Sequence, residues 1–281
     1  MSELPLPAEL DILYEDDALI AVNKPSGLLV HPSWIAPRRT PHCVGMIKRY
    51  LNGATVHTIH RLDRATSGVI LFGKQKEASR LMNEAFAERR VRKTYLCVVR
   101  GYADEEDVID HALKLKYDKQ DDRRTRQDKP AQDAVTAYRR LATVELPIPI
   151  GQYPAARYSL VECKPHTGRK HQIRRHMKHI FHPIVGDSKH GDGRHNTLWR
   201  DNFGLQRLLL MATELSFHHP LTGEHITLKA PVAPEVDQLL QPFGWQDCYP
   251  TVQTRIGVMP LQSEQETEEE AALELQTEES P

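Results

Sequence analysis

The sequence predicts an α+β fold, because many segments are typical of β-strands and only two are typical of amphipathic helices. The strand-like segments are short runs rich in β-branched and aromatic residues. These runs are ALIAVNK, GVILFG, TYLCVVRG, AVTAYRRLA, ARYSLVEC, LLLMATELSF and HITLKA. We find no internal repeat and no clear linker between them.

The first predicted helix, KEASRLMNEAFAERR, has apolar residues at i, i+3, i+4, i+7 and i+8, opposite a charged face. This spacing is typical of a helix that packs one side against a core. The apolar stripe consists of Ala78, Leu81, Met82, Ala85 and Phe86.

The second predicted helix, TGRKHQIRRHMKHI, combines an apolar stripe with a cationic side. Thr167 is a candidate N-cap. The cationic side is either a solvated face or a surface for phosphate groups, and periodicity alone leaves both interpretations open. The apolar stripe is Ile173, Met177 and Ile180, and the cationic side is His171, Arg174 and Lys178.

Length and composition place limits on the protein class. A chain of 281 residues suffices for one large domain or two small ones. Its four cysteines are far apart and form no CxxC pair, which argues against a disulfide framework or a zinc ribbon. The sequence has no basic segment followed by an apolar run at its start, and no stretch of ~18 apolar residues. We therefore expect a soluble cytoplasmic protein that does not bind membranes.

The charge is distributed unevenly along the chain. Residues 262–281 contain eight glutamates and no lysine or arginine, although the whole chain has a net charge of −1. Without them, 37 basic side chains face 30 acidic ones, a net charge of +7. We expect residues 251–281 to form a disordered acidic tail after one domain over residues 1–250. The basic body favours an anionic partner such as nucleic acid.

Two segments contain few strand or helix signals. The first, Tyr117–Asp133, is densely charged and is predicted to be a solvated loop. The second, Gly193–Gly204, has turn-forming residues at both ends and is predicted to be irregular.

The stretch HRLDRATSG places one carboxylate, Asp63, between Arg61 and Arg64, directly before a predicted strand. Such a cluster can be a surface ion pair, which contributes little to stability. It can also hold an ionised carboxylate ready to act as a nucleophile or base. A carboxylate suits sugar chemistry, because it can attack or stabilise an electron-poor anomeric carbon.

This stretch resembles the signature of the RluA-type pseudouridine synthases. Further family elements occur in the family's order, over about residues 12–245. They are NKPSGLLVH, KTYLCVVRG, TGRKHQIRRH, HPIVGD and HPLTGE. The resemblance implies a single catalytic domain with a mixed, mainly antiparallel β-sheet flanked by helices and loops. It also implies an enzyme that isomerises uridine in RNA.

The resemblance implies a role for several residues. Asp63 matches the family's nucleophile, Tyr95 the tyrosine against the target base, and Arg174 the arginine that pairs with the aspartate. Arg61 matches the arginine that fills the gap left by the flipped-out uridine, and Ile173 is an apolar neighbour. Flipping is expected because a stacked base conceals the C1′ and C5 atoms. The other candidates for RNA contact are His60, Lys93, Arg169 and Lys170.

The implied reaction breaks the N1–C1′ bond, joins C5 to C1′ and removes the C5 proton, so we expect no cofactor and no metal. Attack of Asp63 on C1′, its addition to C6 and a glycal route all need an ionised carboxylate. Arg174 is expected to supply a charge-assisted, bidentate hydrogen bond. For Tyr95, removal of the C5 proton and simple positioning of the base stay open.

Within the family, the sequence is most similar to members that modify uridine 65 of tRNA. The basis is the run GDSKHGD, the charged segment before AVTAYRRLATVELPI, the GLQRLLL element and the lack of an S4-like domain ahead of Ile12. Two departures from the family pattern, His190 and Cys97, are expected not to touch the chemistry. We expect a monomer that binds RNA and needs no protein partner.

Other functions are weighed against this one. The alternatives are a synthase for ribosomal RNA, an RNA-binding protein without chemistry, and a base-excising glycosidase. The histidines near 171–182 have helical spacing, but no carboxylate shares their faces, which argues against a metal site. Ser67 lacks the elbow and glycines of a hydrolase nucleophile and is expected to form a turn.

Overall fold

The computed structural model describes residues 9–32, 37, 39–114 and 130–249. These residues form ten strands and five α-helices. The strands are β1 (Asp11–Glu15), β2 (Leu19–Lys24), β3 (His57–Thr58), β4 (Ser67–Gly73), β5 (Arg92–Arg100), β6 (Glu106–Asp110), β7 (Val135–Leu146), β8 (Ala156–Pro165), β9 (Leu210–His218) and β10 (His225–Lys229). The helices are α1 (Cys43–Tyr50), α2 (Lys76–Ala87), α3 (Gln172–His179), α4 (Gly193–Phe203) and α5 (Pro234–Leu240).

The ten strands form one mixed sheet, in the order β1-β2-β4-β9-β5-β8-β7-β6, with β10 added to β9 and β3 added to β4. The pairing of β4 with β9 is parallel, whereas the other pairings between named strands are antiparallel. The predicted α+β class and mainly antiparallel sheet are therefore confirmed. The parallel pairing joins the first residues of β4 to the first residues of β9 within the sheet.

The predicted apolar stripe of α2 is the face of the helix that packs inward. Ala78, Met82 and Ala85 are buried, and Leu81 and Phe86 are partly buried. This stripe packs into a core cluster with β1, β2, β4 and α1. A second cluster joins β5, β8 and β9 to α4 and α5, and a third joins β5 and β8 to α3. The central strands thus contribute to all three clusters.

The prediction of an irregular segment at residues 193–204 is wrong, because this segment forms helix α4. The side chain of Asp192 caps its start by accepting hydrogen bonds from the backbone N–H groups of Arg194 and His195. Gly204, at φ = 68°, ends it in the left-handed conformation that glycine adopts without penalty. Leu198 and Trp199 are buried. The glycine at the far end of the segment is therefore the helix C-cap, and the N-cap is Asp192, one residue before the segment.

Several predictions concern residues outside the described part. The predicted loop Tyr117–Asp133 falls mostly on residues 115–129, which are not described. The predicted tail, 251–281, is likewise not described, and the domain boundary at residue 250 stays a prediction. Among the described residues, no helix is long and apolar enough to cross a membrane.

Candidate active site

The turn that carries Asp63 leads directly into β4. The backbone N–H of Thr66 donates to the carbonyl of Asp63 at 3.0 Å and closes the turn. Gly68 has φ = 108°, and a Cβ there would lie 2.0 Å from the carbonyl oxygen of Ala212 in β9. The glycine is required for the close parallel approach of β4 and β9 at the start of β4, shortly after the Asp63 turn.

The NKPSG segment holds the backbone of this turn. Ser26 Oγ donates to the carbonyl of Ala65 at 2.8 Å, and the N–H of Gly27 donates to the carbonyl of Arg64 at 2.8 Å. In return, Arg64 Nε donates to the carbonyl of Gly27 at 2.8 Å. The Arg64 guanidinium, which was expected to flank Asp63, thus contacts the supporting loop.

Buried Lys24 adds a third support to the turn. Its Nζ donates to the carbonyls of Pro25 and Leu28 at 2.9 Å and of Arg64 at 3.1 Å. Three carbonyl acceptors match the three N–H bonds of an ammonium group. Burial lowers the pKa of Lys24 to about 7. Sequence reasoning missed this residue, although it lies within a quoted motif.

The start of α3 is anchored by Gln172, not by Thr167. The helix is preceded by His171 at φ = 54°, so the prediction of Thr167 as N-cap is wrong. Thr167 Oγ1 instead donates to Gln172 Oε1 at 2.7 Å. Gln172 Nε2 donates to the carbonyl of Val135 at 3.0 Å and to Thr136 Oγ1 at 2.9 Å. This buried amide fixes the first turn of α3 against β7.

Arg174 projects from that first turn and is buried, with 5% of its surface exposed. Its Nη1 donates to Asp63 Oδ2 at 3.1 Å. Its Nε and Nη2 donate to Asp187 Oδ2 at 2.6 Å and Oδ1 at 2.8 Å. The expected bidentate hydrogen bond therefore goes to Asp187, and Asp63 receives a single one. The interpretation of this side of α3 as a solvated face is wrong for Arg174.

The three charged groups influence one another's ionisation. Burial disfavours the Arg174 charge, but its hydrogen bonds with Asp187, and then the Asp63 charge, raise the Arg174 pKa overall. Burial likewise opposes the Asp187 charge, and the Arg174 contacts and two backbone N–H groups lower the pKa of this carboxyl. The backbone donors come from Lys189 and His190, both at 2.9 Å. The group is a buried, hydrogen-bonded cation between two carboxylates.

A cavity of about 650 Å³ lies beside this ion group. Its volume is within the roughly 300–1,000 Å³ typical of ligand sites. The apolar side chains of Leu62, Phe86, Ile173 and Leu210 contribute to the wall. All predicted site residues line it, namely His60, Arg61, Asp63, Lys93, Tyr95, Arg169, Lys170, Ile173 and Arg174.

Tyr95 is placed by an irregularity in β5. The register between β5 and β9 shifts between Thr94 and Tyr95, which is the mark of a bulge that redirects a side chain. Burial, and then the nearby Asp63 charge, raise the pKa of the Tyr95 phenol. The phenol is therefore neutral at physiological pH and is an apolar surface with a hydroxyl donor.

His60 and Lys93 lie on another side of the cavity. His60 Nε2 accepts from the backbone N–H of Leu71 at 3.0 Å, and its ring stacks on Phe86 at a centroid distance of 4.6 Å. Burial, and then the Lys93 charge, lower the His60 pKa to about 3, so the ring is neutral and structural. Burial, and then Arg89, lower the Lys93 pKa to about 8.

The remaining predicted RNA contacts lie at the cavity edge. Arg61 is exposed, and Arg169 and Lys170 are partly buried. Arg169 Nε donates to the carbonyl of Asp133 at 3.0 Å. The charged segment between Lys119 and Lys129, which we propose as a further RNA contact, lies outside the described residues.

The two departures from the family pattern have different locations. Cys97 is buried, and its Sγ lies 3.8 Å from the Sγ of Cys163 within the core, away from the cavity. His190 Nε2 lies 2.9 Å from His171 Nδ1, and His171 Nε2 lies 3.8 Å from Asp63 Oδ2. His190 therefore does not contact Asp63 directly and is connected to it through His171.

Ser67 is buried at the start of β4, where its Oγ accepts a hydrogen bond from Arg207 Nη2, so it supports the turn. Within the described ranges, no group of three or more His, Cys, Asp or Glu side chains is arranged to hold a metal ion.

Sequence reasoning missed Asp187, Gln172 and Lys24 as site residues. Each lies inside a motif that carries the family resemblance: Asp187 in HPIVGD, Gln172 in HQIR and Lys24 in NKPSG. The sequence therefore contained a signal for these residues. Motif membership alone does not indicate which partner a side chain contacts.

Comparison with known proteins identifies the family. The sequence model of the family described as RNA pseudouridylate synthase matches residues 18–179, more than half of the chain. The chain belongs to this family. It is therefore an RNA pseudouridine synthase, an isomerase, and the resemblance read from the motifs is confirmed.

Curated relatives extend the match over nearly their whole length. A protein of Vibrio parahaemolyticus named tRNA pseudouridine synthase C is 48% identical over 241 residues, covering 86% of this chain and 98% of that protein. A protein of the same name from Haemophilus influenzae is 48% identical over 238 residues, covering 85% and 99%. The expected similarity to tRNA-modifying members of the family is confirmed.

Solved structures agree on the fold. Human RNA pseudouridylate synthase domain containing 4 superposes with a TM-score of 0.62 at 26% identity, covering 82% of this chain and 92% of that one. Human RNA pseudouridylate synthase domain containing 1 superposes with a TM-score of 0.64 at 23% identity, covering 96% and 98%.

Proposed function

We propose that this enzyme converts uridine to pseudouridine in tRNA, at uridine 65, with Asp63 as the nucleophile on a flipped-out base. The observation that carries the proposal is the contact of Asp63 Oδ2 with buried Arg174 at 3.1 Å, inside a cavity of about 650 Å³. The buried guanidinium of Arg174 gives the Asp63 carboxylate a charged hydrogen-bond donor on the cavity wall. The tRNA substrate is supported by the names of relatives that this chain covers almost completely.

The contacts suggest a division of roles around the base. Arg174 and His171 both face Oδ2 of Asp63, so we assign the attack to Oδ1. The neutral Tyr95 phenol and Ile173 form surfaces against which a flipped uracil can pack. Because the raised pKa makes a Tyr95 phenolate scarce, we assign Tyr95 to positioning the base and not to removing the C5 proton.

RNA is held by cations around the cavity. Arg61 is exposed at the edge and is assigned to the gap that the flipped uridine leaves. Lys93, Arg169 and Lys170 are the candidates for phosphate contacts. His60 is assigned a structural role, because its ring nitrogen is occupied by the backbone of β4. We further propose that the enzyme acts as a monomer in the cytoplasm.

The proposal is tested by incubating the purified enzyme with unmodified tRNA transcripts and, separately, with ribosomal RNA fragments. Pseudouridine is mapped by chemical labelling and primer extension, and released uracil is measured in the same reactions. We expect pseudouridine at position 65 of tRNA, and none in a transcript with cytidine there. Product only in the ribosomal fragments would overturn the tRNA substrate but not the activity. Released uracil would indicate a glycosidase, and binding without product a non-catalytic RNA-binding protein.

A further inference from the structure

Two histidines form a chain that ends at the nucleophile. His171 lies half-buried on the cavity wall, with Nε2 3.8 Å from Asp63 Oδ2. On its other side, Nδ1 lies 2.9 Å from His190 Nε2. The backbone N–H of His190 donates to Asp187 Oδ1 at 2.9 Å, so His190 is tied to the carboxylate that holds Arg174.

Both imidazoles are neutral in this environment. Burial lowers the His171 pKa, which the Asp63 charge opposes and the Arg174 charge reinforces. Burial lowers the His190 pKa to about 4. The charged and titratable groups that act on the two rings are Asp63, Lys170, Arg174, Arg175, Asp187 and Lys189.

Neutrality leaves one N–H on each ring, and the geometry selects its position. A nitrogen lone pair of His171 directed at the Asp63 carboxylate would be repelled, whereas an N–H would be attracted. The proton of His171 therefore belongs on Nε2, and Nδ1 must accept a hydrogen bond. At 2.9 Å, the donor is His190 Nε2–H.

We propose that His190 is a positioning residue that fixes the proton of His171 on Nε2, so that His171 presents an N–H to Asp63 Oδ2 beside Arg174. The inference rests on the proposed role of Asp63 as the nucleophile. At 3.8 Å the N–H is an electrostatic contact with the carboxylate, of a kind that in enzymes often tightens to a hydrogen bond in the substrate complex. Two donors on one oxygen fix the carboxylate for attack through the other.

The backbone at His171 supports a functional role for its ring position. His171 has φ = 54°, a left-handed conformation that is strained for a residue with a Cβ. The residue that follows His171, Gln172, is anchored to β7 through its side chain. Backbone strain of this kind collects at functional sites.

The test compares two variants of equal side-chain length. In His190→Gln, the amide N–H can donate to His171 Nδ1, whereas in His190→Met no donor remains. We expect His190→Met to lower the single-turnover rate on tRNA transcript about tenfold, with RNA affinity and thermal midpoint close to those of His190→Gln. His190→Gln should retain most of the wild-type rate. Equal rates in the two variants, whether high or low, would overturn the proposal.

A second measurement does not depend on activity. NMR of the full-length protein labelled with 15N-histidine reports which ring nitrogen of His171 carries the proton. We expect Nε2–H in the wild type and in His190→Gln, and a mixture of tautomers in His190→Met. A wild type protonated on Nδ1 would contradict the proposal even if the enzyme makes pseudouridine. Wild-type inactivity on tRNA together with the Nε2–H tautomer would count against the proposed substrate only.

Discussion

Arg174 and Lys24 are two buried cations that contact the Asp63 turn, Arg174 at the Asp63 side chain and Lys24 at the backbone carbonyl of Arg64. The protein stabilises the two charges differently. Arg174, 5% exposed, is held by two carboxylates, Asp187 and Asp63. Lys24, 0% exposed, is held by three backbone carbonyls. Carboxylate partners raise the pKa of Arg174, whereas burial lowers that of Lys24 to about 7.

The different partners of Arg174 and Lys24 indicate two different roles for these cations. The charge of Arg174 acts on the proposed nucleophile, because one of its N–H groups donates to Asp63. Hydrogen bonds from Lys24 end on main-chain oxygens, so they shape the loop and the turn. Substitutions at the first cation are therefore expected to change chemistry, and substitutions at the second to change stability.

The largest expected effect on the rate comes from changing Asp63, the proposed nucleophile that Arg174 contacts. Asp63→Asn should lower the isomerisation rate by several orders of magnitude, while RNA affinity falls less than about tenfold, because binding depends on many contacts and chemistry on one carboxylate. Single-turnover assays and filter binding on the same tRNA transcript measure the two quantities. Measurable turnover by carefully purified Asp63→Asn would remove Asp63 from the nucleophile role.

The next effect comes from removing the shared cation. Arg174→Met should lower the rate about 10²–10³-fold, because Asp63 loses its charged donor. Buried Asp187, left unpaired, should also lower the free energy of unfolding by about 3–5 kcal/mol.

A double variant separates these two consequences. Arg174→Met with Asp187→Asn removes the unpaired charge and keeps an oxygen for the backbone N–H groups of Lys189 and His190. Stability should be largely restored, whereas the rate should stay low. Recovery of the rate together with stability would show that Arg174 acts only on folding.

Lys24→Met should lower the free energy of unfolding by about 2–4 kcal/mol, because three carbonyls lose their donor. The rate of the folded enzyme at saturation should change much less than in Arg174→Met. Because the Lys24 pKa drops from 10.5 to about 7 on folding, the unfolded chain binds more protons between these values. The stability difference between wild type and Lys24→Met should therefore grow as pH rises from 7 to 10. A difference that shrinks over this range would contradict the assignment.

The smallest expected effect is on RNA affinity and concerns a third cation, Lys93. Burial lowers the pKa of Lys93 to about 8. Its charge is present below pH 8 and lost above it, so tRNA affinity should fall roughly threefold between pH 7 and pH 9. Lys93→Arg, which keeps its charge over this range, is the matched control and should show a flatter profile. Parallel losses in both proteins would exclude Lys93 as the titrating contact.

Local patterns in the sequence determined most secondary structure and the candidate nucleophile. The strand-like runs and the stripe of α2 follow from side-chain periodicity, which is set by neighbours along the chain. Asp63 was found because its motif is contiguous. Helix α4 was missed because its buried pair, Leu198 and Trp199, makes no regular stripe, although Asp192 and Gly204 marked its ends.

Only the tertiary structure decided how charge is distributed within the site. Arg174 lies 111 residues from Asp63 and 13 from Asp187, and nothing in the spacing indicates that the bidentate contact goes to Asp187. The histidine chain from His190 to Asp63 depends equally on the left-handed backbone of His171 and on the anchoring of α3. Pairing of buried charges is decided by burial and distance, which arise when separate elements pack, whereas periodicity reflects only which face of each element is apolar.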